Sequence, residues 1–464
     1  MSPPWSGSSR SETRRRRCRT CTPCCKVRQR RSYRAAEKGP SAVTHLRWVP
    51  RLSRHSLRRT TSTPGPSGLG APAYAKPPCV WTFLSSLEGN AICGIPLKWE
   101  AGDVNRVGEE RRAGMGAKDV RVKAEDLKGF MKAVFEKAGF TAEGAENQAD
   151  VLTWANLRGV DSHGVQRISW YLELVDKGHM KPRPNIRIEK ETPAVLLVDA
   201  DYAPGPVVTV MAMRRAIEKA RNVGIGWAAI RNTLHQGAMG YYSLMAANEG
   251  MAGIAIVCNP PNMAPHGARA SGVHNSPIAI CVPGRKHRPL MLDMATSVAA
   301  RGKLDVAEDK GIPIPLGWAL DKEGRPTTDP KAAAVLLPAG GGKGSGLAML
   351  FECLTSLFVG NPLLTPVFQG KPGAEVHRQN SVVAAVDIAT FTDLAQYKTN
   401  ADAIVDGIKA LPTAEGFSEV VVPGEPEDRV YDERVKNGIP LPEGTFLKMK
   451  NASERFGVPL PACI

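Results

Sequence analysis

The residues from Met115 onward predict a mixed α/β protein, and three observations carry this prediction. Apolar residues recur at helical spacing in several long segments, and short apolar runs rich in β-branched residues lie between them. The predicted strands and helices alternate through the middle of the chain, as they do in α/β domains. Lysine and arginine nearly balance aspartate and glutamate over residues 115–464, with 39 against 38, which is typical of a globular protein.

The predicted elements follow one another with short connections. Apolar residues at helical spacing predict helices over 123–140, 142–157 and 167–178. A strand-like segment over 192–201 is followed by a long helix that ends at Gly224, a typical helix terminator. The later elements are predicted as a strand over 225–232, a helix over 240–250, strands over 251–259, 276–284 and 288–297, a helix over 346–360, a strand over 381–391, a helix over 393–411, a strand-like segment over 419–425 and a final helix over 445–458.

Residues 1–114 differ from the rest of the chain in composition. They hold 22 basic and 7 acidic residues, so +15 of the net charge of +16 lies there, together with Pro- and Ser-rich stretches that predict disorder. Four interpretations stay open, namely a transit peptide, a nucleic-acid-binding arm, a zinc site at Cys18, Cys21 and Cys24, or an extension that is not native protein. We favour the last interpretation, in which translation starts at Met115.

Several kinds of site and segment are not indicated after Met115. The segment contains no run of about 18 apolar residues, so no membrane-spanning helix is predicted. The Gly-x-Gly-x-x-Gly fingerprint of a Rossmann cofactor site is absent, as are a Walker phosphate loop, a His-Glu-x-x-His metal pair and a Gly-x-Ser-x-Gly elbow. No metal site is therefore predicted. Cys258, Cys281, Cys353 and Cys463 are widely spaced, which favours reduced core thiols in a cytoplasmic enzyme.

One histidine segment combines three side chains that could act on a carboxylic acid. His163 lies in the string Asp161-Ser162-His163-Gly164, and Arg167 and Tyr171 follow at intervals of four, so all three can share one helical face. Imidazole, guanidinium and phenol could protonate a carbonyl, bind a carboxylate and donate a hydrogen bond. The alternative is a helix N-cap formed by the aspartate or the serine, with a solvated polar face.

Two other segments lie where elements are predicted to end or begin. His235 follows the strand over 225–232, a position where α/β proteins often place polar groups, although a lone histidine there is more often structural. Residues 340–346 are rich in glycine and precede the helix over 346–360, whose first N–H groups would attract an anion beside Lys343. A flexible loop is the equally supported alternative.

Taken in order, these segments resemble the type-2 malate/L-lactate dehydrogenase family from Met115 to the C-terminus. The matching strings are DSHGVQR with Tyr171, AIRNTLHQGAMGYY, HNSPIAICVPG, LMLDMATSVAARGK, PLGWALDKEGRPTTDP and LLPAGGGKGSGLAML. The resemblance implies an NAD(P)-dependent oxidoreductase that transfers a hydride between nicotinamide and the α carbon of a small 2-hydroxy or 2-oxo acid. A cyclic-imine carboxylate reductase of the same family is one alternative, and a nucleic-acid-binding protein that uses residues 1–114 is another.

The resemblance also implies the organisation of the chain and its surroundings. We expect a non-Rossmann NAD(P)-binding α/β domain over 196–370, and a helical substrate and dimer domain built from 115–195 and 371–464. The implied protein is a cytoplasmic homodimer that binds NAD or NADP and a small carboxylate substrate, without a membrane or nucleic-acid partner.

The family pattern assigns residues of this chain to three roles. His163 and His235 match acid/base positions, and both stay open because family members have been assigned either one. Ser162, Arg167 and Tyr171 match substrate positions, and Arg167 would pair with the carboxylate. Ten residues match cofactor contacts, namely Asn259, Asp293, Met294, Ala295, Thr296, Ser297, Gly342, Lys343, Gly424 and Glu425.

The chain departs from the family pattern in two segments. Many relatives have an aromatic residue immediately before the glycine-loop lysine, where this chain has Gly342, and we expect different packing around a cofactor there. His274 stands in a segment where relatives often have Gly-Thr-Asn-Pro, and its role stays open.

Overall fold

The computed structural model describes residues 120–464 apart from residue 375. The four interpretations of residues 1–114, and the expected start at Met115, therefore lie outside the described residues. Along the described part, the chain forms eleven α-helices and twelve strands, which confirms the mixed α/β class. None of these helices combines the length and the apolar character that crossing a membrane requires.

The helices are numbered in chain order and vary from one turn to five turns in length. Their bounds are α1 Ala124–Lys137, α2 Ala142–Leu157, α3 Ile168–Asp176, α4 Gly205–Val223, α5 Gly240–Asn248, α6 Arg301–Lys310, α7 Gly342–Glu352, α8 Leu364–Phe368, α9 Leu394–Lys409, α10 Glu425–Asn437 and α11 Glu443–Phe456. Short 3-10 turns occur at Asp161–His163, Val165–Arg167 and Ile388–Thr390, and a π-helical turn, Cys353–Leu357, follows α7.

The strands form three sheets of very different size. Their bounds are β1 Val120–Val122, β2 Arg187–Glu191, β3 Val195–Asp199, β4 Ile225–Thr233, β5 Met251–Cys258, β6 Ile278–Val282, β7 Leu290–Met294, β8 Ala319–Leu320, β9 Pro326–Thr327, β10 Val335–Leu336, β11 Gln379–Asp387 and β12 Ile439–Leu441. Seven of them form the main sheet, in the order β2-β3-β4-β11-β5-β6-β7. The small sheets have the orders β10-β8-β9 and β1-β12.

The central strand of the main sheet comes from the C-terminal part of the chain. Strand β11 lies antiparallel between β4 and β5, so that Val382 is opposite both Ala229 and Ile256. Strands β3 and β4 are parallel because the long helix α4 carries the chain back between them. Strand β11 is buried on both faces along most of its length, which explains its nearly continuous run of small and β-branched residues.

Two large apolar cores hold these elements together. In the first core, α1, α2 and α3 pack against α11 and β12 through side chains such as Leu127, Phe135 and Met449. In the second core, α4 and α5 cover one face of the main sheet through residues such as Met213 and Ile230. Since α2 contacts both α1 and α4, it lies between the two cores, next to the segment that contains His163.

Most predicted elements are confirmed, and the differences have local causes. The strand-like segment 419–425 is wrong: it forms no strand, and Gly424 adopts a left-handed φ of 90° immediately before α10 begins. Helix α10 itself was not predicted, since its charged sequence lacks an apolar face and buries none of its residues. Of the four expected core thiols, Cys258 and Cys281 are buried, whereas Cys463 is exposed.

Candidate active site

The turn that contains His163 is held in place by the end of α2. The Asn156 side chain donates a hydrogen bond to Asp161 Oδ1 (2.7 Å) and accepts one from the Val165 N–H (2.8 Å). Glycine is required at position 164, because a Cβ atom there would lie 2.3 Å from Asn156 Oδ1. Asp161 thus anchors the turn through its side chain, and neither it nor its neighbour caps a helix.

The sequence predicted that His163 and Tyr171 share one helical face, but they do not lie on one continuous helix. The extended backbone at Gly164 (φ −96°, ψ −151°) interrupts the helical structure, and α3 begins only after Arg167. Both side chains nevertheless contact His235, which lies in the loop after β4. The His163 and His235 rings stack with centroids 5.3 Å apart, and the Tyr171 hydroxyl lies 2.6 Å from His235 Nδ1. Tertiary packing therefore brings the predicted residues together.

The hydrogen bonds of His235 fix the tautomer of its neutral ring. Its Nδ1 accepts a hydrogen bond from the Gly237 N–H (3.3 Å) and lies 2.6 Å from the Tyr171 hydroxyl. A backbone N–H can only donate, so Nδ1 is an acceptor and the tyrosine hydroxyl donates to it as well. The neutral His235 ring consequently carries its proton on Nε2.

His163 has a different kind of partner. Its Nδ1 lies 2.9 Å from the Ser162 hydroxyl oxygen. A hydroxyl group can donate or accept, so this hydrogen bond persists whether the His163 ring is neutral or protonated. Of the two stacked histidines, His163 is therefore the one whose surroundings tolerate a change of charge.

Both imidazoles are uncharged at neutral pH. Each ring keeps some accessible surface, but protein atoms surround it closely, and the Arg167 guanidinium is near. Desolvation and then the charge of Arg167 lower the pKa of His163 to about 4. Desolvation, followed by the neighbouring His163, lowers the pKa of His235 well below its usual range. Burial raises the pKa of Tyr171, so its phenol stays protonated.

Arg167 lies near this histidine pair, and among the described residues only its Nε makes a hydrogen bond. Its Nε donates a hydrogen bond to the Ser162 carbonyl oxygen (2.6 Å), and its guanidinium carbon is 5.5 Å from the Trp170 ring centroid. The first turn of α6 is adjacent, since a Cβ atom at Gly302 would lie 3.8 Å from Arg167 Nη2. The guanidinium is thus fixed at one nitrogen and can offer the others to a carboxylate.

Two aromatic residues of this cluster were missed by the sequence analysis. The Trp170 ring makes edge contacts with His235 (5.4 Å between centroids) and with His377 (5.0 Å). His377 precedes β11 and lies 6.4 Å from His235, centroid to centroid. Trp170 could have been noticed beside Tyr171, but His377 is more than 140 residues away from His235 and further from His163, and its sequence context carries no motif.

The predicted cofactor segments around residues 296 and 342 do lie together. The Ala339 N–H donates a hydrogen bond to the Thr296 carbonyl oxygen (2.9 Å), and Ser297 pairs with the adjoining loop. Helix α7 begins at Gly342, without a side-chain cap, and Lys343 is exposed in its first turn. The Lys343 and Gly344 N–H groups donate to the Gly340 and Ala339 carbonyl oxygens (3.3 and 2.8 Å), so among the described residues this corner offers a phosphate the Gly342 N–H and the Lys343 ammonium.

The cofactor segment at the end of β7 also adjoins the histidine loop. The Gly240 N–H, at the start of α5, donates a hydrogen bond to Asp293 Oδ2 (2.7 Å). Desolvation by the surrounding protein raises the pKa of Asp293 to about 6. Met294 and Ala295 follow and are half-buried. The end of β7 therefore links His235, five residues before Gly240, to the glycine-rich loop.

The remaining cofactor assignments lie in two other places. Asn259 follows β5, and its side chain donates to its neighbour's carbonyl oxygen, that of Pro260 (2.8 Å). Gly424 packs on β7, where a Cβ atom would lie 3.1 Å from the Met291 carbonyl oxygen. The Glu425 carboxylate already binds a lysine and an arginine at 2.5 and 2.6 Å, which lower its pKa to about 2 although desolvation opposes this. The cofactor roles of these residues stay predictions.

His274, whose role the sequence left open, lies in a buried polar cluster. The donor atoms of Cys258, His274 and Glu352 lie within 4.8 Å of one another. His274 Nε2 is 3.2 Å from Glu352 Oε2, and the Thr355 hydroxyl donates to the Cys258 sulfur (3.0 Å). Burial opposes a charge on His274, but Cys258 and Glu352 raise its pKa to about 9. These groups satisfy one another, so the cluster ties the end of β5 to α7.

Comparisons with known proteins identify the family. The sequence profile of the malate/L-lactate dehydrogenase family matches residues 122–450. L-sulfolactate dehydrogenase of Methanocaldococcus jannaschii is 38% identical over 340 residues, which cover 73% of this chain and 97% of that protein. The NAD⁺-dependent ureidoglycolate dehydrogenase of Escherichia coli K12 is 31% identical over 70% of this chain and 94% of its own length.

A solved structure supports the same assignment. The crystal structure of malate dehydrogenase from Entamoeba histolytica superposes with a TM-score of 0.71 at 30% identity, covering 74% of this chain and all of that one. The chain belongs to the malate/L-lactate dehydrogenase family and is an NAD(P)-dependent oxidoreductase of hydroxy acids.

Proposed function

We propose that this family member oxidises small 2-hydroxy acids reversibly at the His163–His235 pair, with His163 as the acid/base. The observation that carries the proposal is the contrast between the partners of the two rings. The Gly237 N–H suits only a neutral His235, whereas the Ser162 hydroxyl suits both charge states of His163. Only His163 can take up and release a proton without losing its hydrogen bond.

Each side chain of the cluster then has a definite task. Arg167 binds the substrate carboxylate through its free guanidinium nitrogens and so directs the α carbon toward the two rings. His163 accepts the hydroxyl proton during oxidation and returns it during reduction. Neutral His235 donates a hydrogen bond from Nε2 to the substrate oxygen, and Tyr171 keeps the ring in this tautomer through its bond to Nδ1 (2.6 Å).

NAD(P), when bound, supplies the hydride acceptor or donor for the α carbon. We assign its phosphates to the start of α7, where the backbone N–H of Gly342 and the Lys343 ammonium are exposed. Thr296 and Ser297 lie beside this corner and extend it toward the end of β7. Asn259, Asp293, Met294, Ala295, Gly424 and Glu425 are proposed as further parts of the cofactor site.

A substrate panel with two histidine variants tests this proposal. The purified enzyme is assayed with malate, lactate and other 2-hydroxy acids, with their 2-oxo acids and with cyclic imine carboxylates, using NAD(H) and NADP(H). We expect His163→Asn to lower kcat for hydroxy acid oxidation by about 10²- to 10⁴-fold, the usual contribution of a general base. The exposed His179 offers a matched control, and His179→Asn should retain full activity.

The outcome distinguishes the two histidines. His235→Asn should also lose activity, but its reduction rate should keep the pH dependence of the parent enzyme, because His163 still carries the proton. If the pH dependence disappears in His235→Asn and survives in His163→Asn, the assignment is reversed. If only cyclic imines are reduced, the hydroxy acid reaction is wrong for this chain.

We further propose that the enzyme is a homodimer. One face of α7 and the following π-turn exposes large apolar side chains, among them Leu347, Leu350, Leu354, Leu357 and Phe358, at 37–65% of their surface. Their spacing places them on one stripe, and a stripe of this kind marks a protein interface. Light scattering after gel filtration should give twice the chain mass, and Leu350→Glu should shift the protein toward monomer.

We place the enzyme in the cytoplasm. The described residues contain four unpaired cysteines, two of them buried, and a reducing compartment keeps such thiols free. Fractionation of cells followed by immunodetection tests this location.

A further inference from the structure

We propose that Cys258, His274 and Glu352 bind a divalent transition-metal ion, Zn²⁺ in the first place, in the interior of the protein. The site is separate from the proposed function, because none of the three side chains belongs to the histidine pair or to the proposed cofactor site. The sequence predicted no metal site, since these residues lie far apart and match no metal-binding spacing. Only the fold brings them together.

The three side chains come from different parts of the chain and converge inside it. Cys258 ends β5, His274 lies in the segment between β5 and β6, and Glu352 ends α7. Their exposed fractions are 0%, 0% and 4%. One donor atom of each lies within 4.8 Å of the donor atoms of the other two. Thiolate, imidazole and carboxylate are the ligand types that zinc takes in proteins, so the set of side chains is chemically suitable.

The distances in the cluster are close to those of a coordinated ion. Two ligand atoms that each lie about 2.1 Å from a tetrahedral zinc ion are about 3.4 Å apart. His274 Nε2 and Glu352 Oε2 already lie 3.2 Å apart. The hydroxyl oxygens of Thr355 and Ser276 lie 3.0 and 3.5 Å from the Cys258 sulfur. An oxygen donor therefore adjoins the three protein ligands and can complete the coordination.

Further hydrogen bonds orient two of the ligands, as is usual around metals in proteins. The Ser276 hydroxyl pairs with His274 Nδ1, which leaves Nε2 for the ion. Glu352 Oε1 accepts hydrogen bonds from the N–H groups of Leu363 and Leu364 (2.7 and 3.1 Å), which leaves Oε2 for the ion. The imidazole and the carboxylate thus present their remaining donor atoms to each other, at the place where the ion binds.

The formal charges suit a divalent ion in a buried place. One thiolate, one carboxylate and one neutral imidazole carry two negative charges, which a divalent cation cancels. The assembly is then neutral and avoids the large cost of burying a net charge. Sulfur and nitrogen ligands favour Zn²⁺ over Ca²⁺ and Mg²⁺, which prefer oxygen. Without an ion, His274 and Glu352 pair directly with each other, and the bound ion replaces that pair.

The site is a property of this chain and not of the family pattern. Relatives often have Gly-Thr-Asn-Pro in the segment where His274 stands, a string that contains no histidine. The ion joins the ends of β5 and α7, and α7 begins at Gly342 and Lys343, in the proposed phosphate corner. Its role is therefore structural, because it fixes the helix that carries this corner.

Metal analysis of the full-length protein tests the site. Because the cluster is buried, the ion is supplied during folding, by production in medium that contains Zn²⁺ or Co²⁺. We expect the parent protein to hold about one more zinc ion per chain than Cys258→Ser. Cys281, a second fully buried cysteine, offers the matched control, and Cys281→Ser should hold as much zinc as the parent. Melting temperatures of both variants show whether they are folded.

Two spectra identify the sulfur ligand. The cobalt protein should have a sulfur-to-cobalt absorption band in the near ultraviolet, present in the parent and in Cys281→Ser and absent from Cys258→Ser. X-ray absorption of the parent zinc protein needs no variant, so it decides the question even if Cys258→Ser does not fold. It should show one sulfur ligand at about 2.3 Å and nitrogen or oxygen ligands at about 2.0–2.1 Å.

Three results would overturn the proposal. If the parent protein holds only trace metal, the cluster is no more than the pair of His274 and Glu352. If Cys258→Ser holds as much metal as the parent, the ion lies elsewhere in the chain. If X-ray absorption shows two or more sulfur ligands, the ion is bound by other cysteines, such as those in residues 1–114.

Discussion

The low pKa of His163 predicts which direction of the reaction depends on pH. With a pKa of about 4, the free enzyme is protonated on His163 in about one molecule in a hundred at pH 6 and one in a thousand at pH 7. Reduction of a 2-oxo acid needs the protonated ring, so its kcat/KM should fall about tenfold for each pH unit between 5.5 and 8. Oxidation needs the neutral ring, so its kcat/KM should be constant over this range.

The test is a pair of pH profiles measured at constant ionic strength by the change in NAD(P)H absorbance. Reduction of the 2-oxo acid takes up one proton overall. The ratio of kcat/KM for reduction to kcat/KM for oxidation must therefore change tenfold per pH unit in any mechanism. The informative result is therefore which of the two rate constants, for oxidation or for reduction, changes with pH. A break near pH 6.5, with oxidation declining below it and reduction levelling off, would show that His163 has an ordinary pKa and would refute the reasoning. In His163→Asn the residual reduction rate should lose this slope, and the change with pH must then appear in the oxidation rate.

Four further substitutions probe other parts of the structure. Tyr171→Phe removes the hydroxyl that holds His235 and should lower kcat about tenfold with an unchanged melting temperature, as measured by steady-state kinetics and calorimetry. Arg167→Lys should raise KM for the hydroxy acid about 10- to 100-fold, because a single ammonium does not replace the guanidinium fork, and an unchanged KM would contradict the carboxylate contact. Lys343→Met should raise KM for the cofactor about tenfold and leave the substrate KM unaltered, and the reverse pattern would exclude the phosphate assignment. His274→Asn should lower the free energy of unfolding of the metal-free protein by about 3 kcal/mol at pH 6, since it removes the cation beside the buried Glu352, whose Oε1 would keep only the Leu363 and Leu364 N–H groups. With a pKa raised to about 9, the contribution of His274 is complete below pH 6.5 and lost as pH rises to 9, so urea unfolding of parent and variant should converge at high pH.

The sequence by itself placed most of the secondary structure, because local signals determine it. Helical spacing marked α1, α2 and α9, and the left-handed Gly224 ended α4 as expected. Local signals were weaker where no apolar face exists. Helix α10 makes ion pairs within itself and with other segments, and periodicity cannot detect such a helix.

The sequence also indicated the family and the cofactor class, since several segments that resemble the family occur in the family's order along the chain. It could not show how the site is assembled, because that depends on contacts between distant segments. The sequence suggested one helix face for His163 and Tyr171, but the interruption at Gly164 separates them, and only their packing around His235 joins them.

The two histidines are the clearest case of what the tertiary structure alone decides. Their residue types and approximate roles can be read from the sequence, but it leaves them equivalent. Their hydrogen-bond partners distinguish them. A backbone N–H is compatible only with neutral His235, whereas a hydroxyl is compatible with both charge states of His163. His377 enters the site only because β11 inserts between β4 and β5, a pairing between residues more than 100 positions apart that no local pattern records.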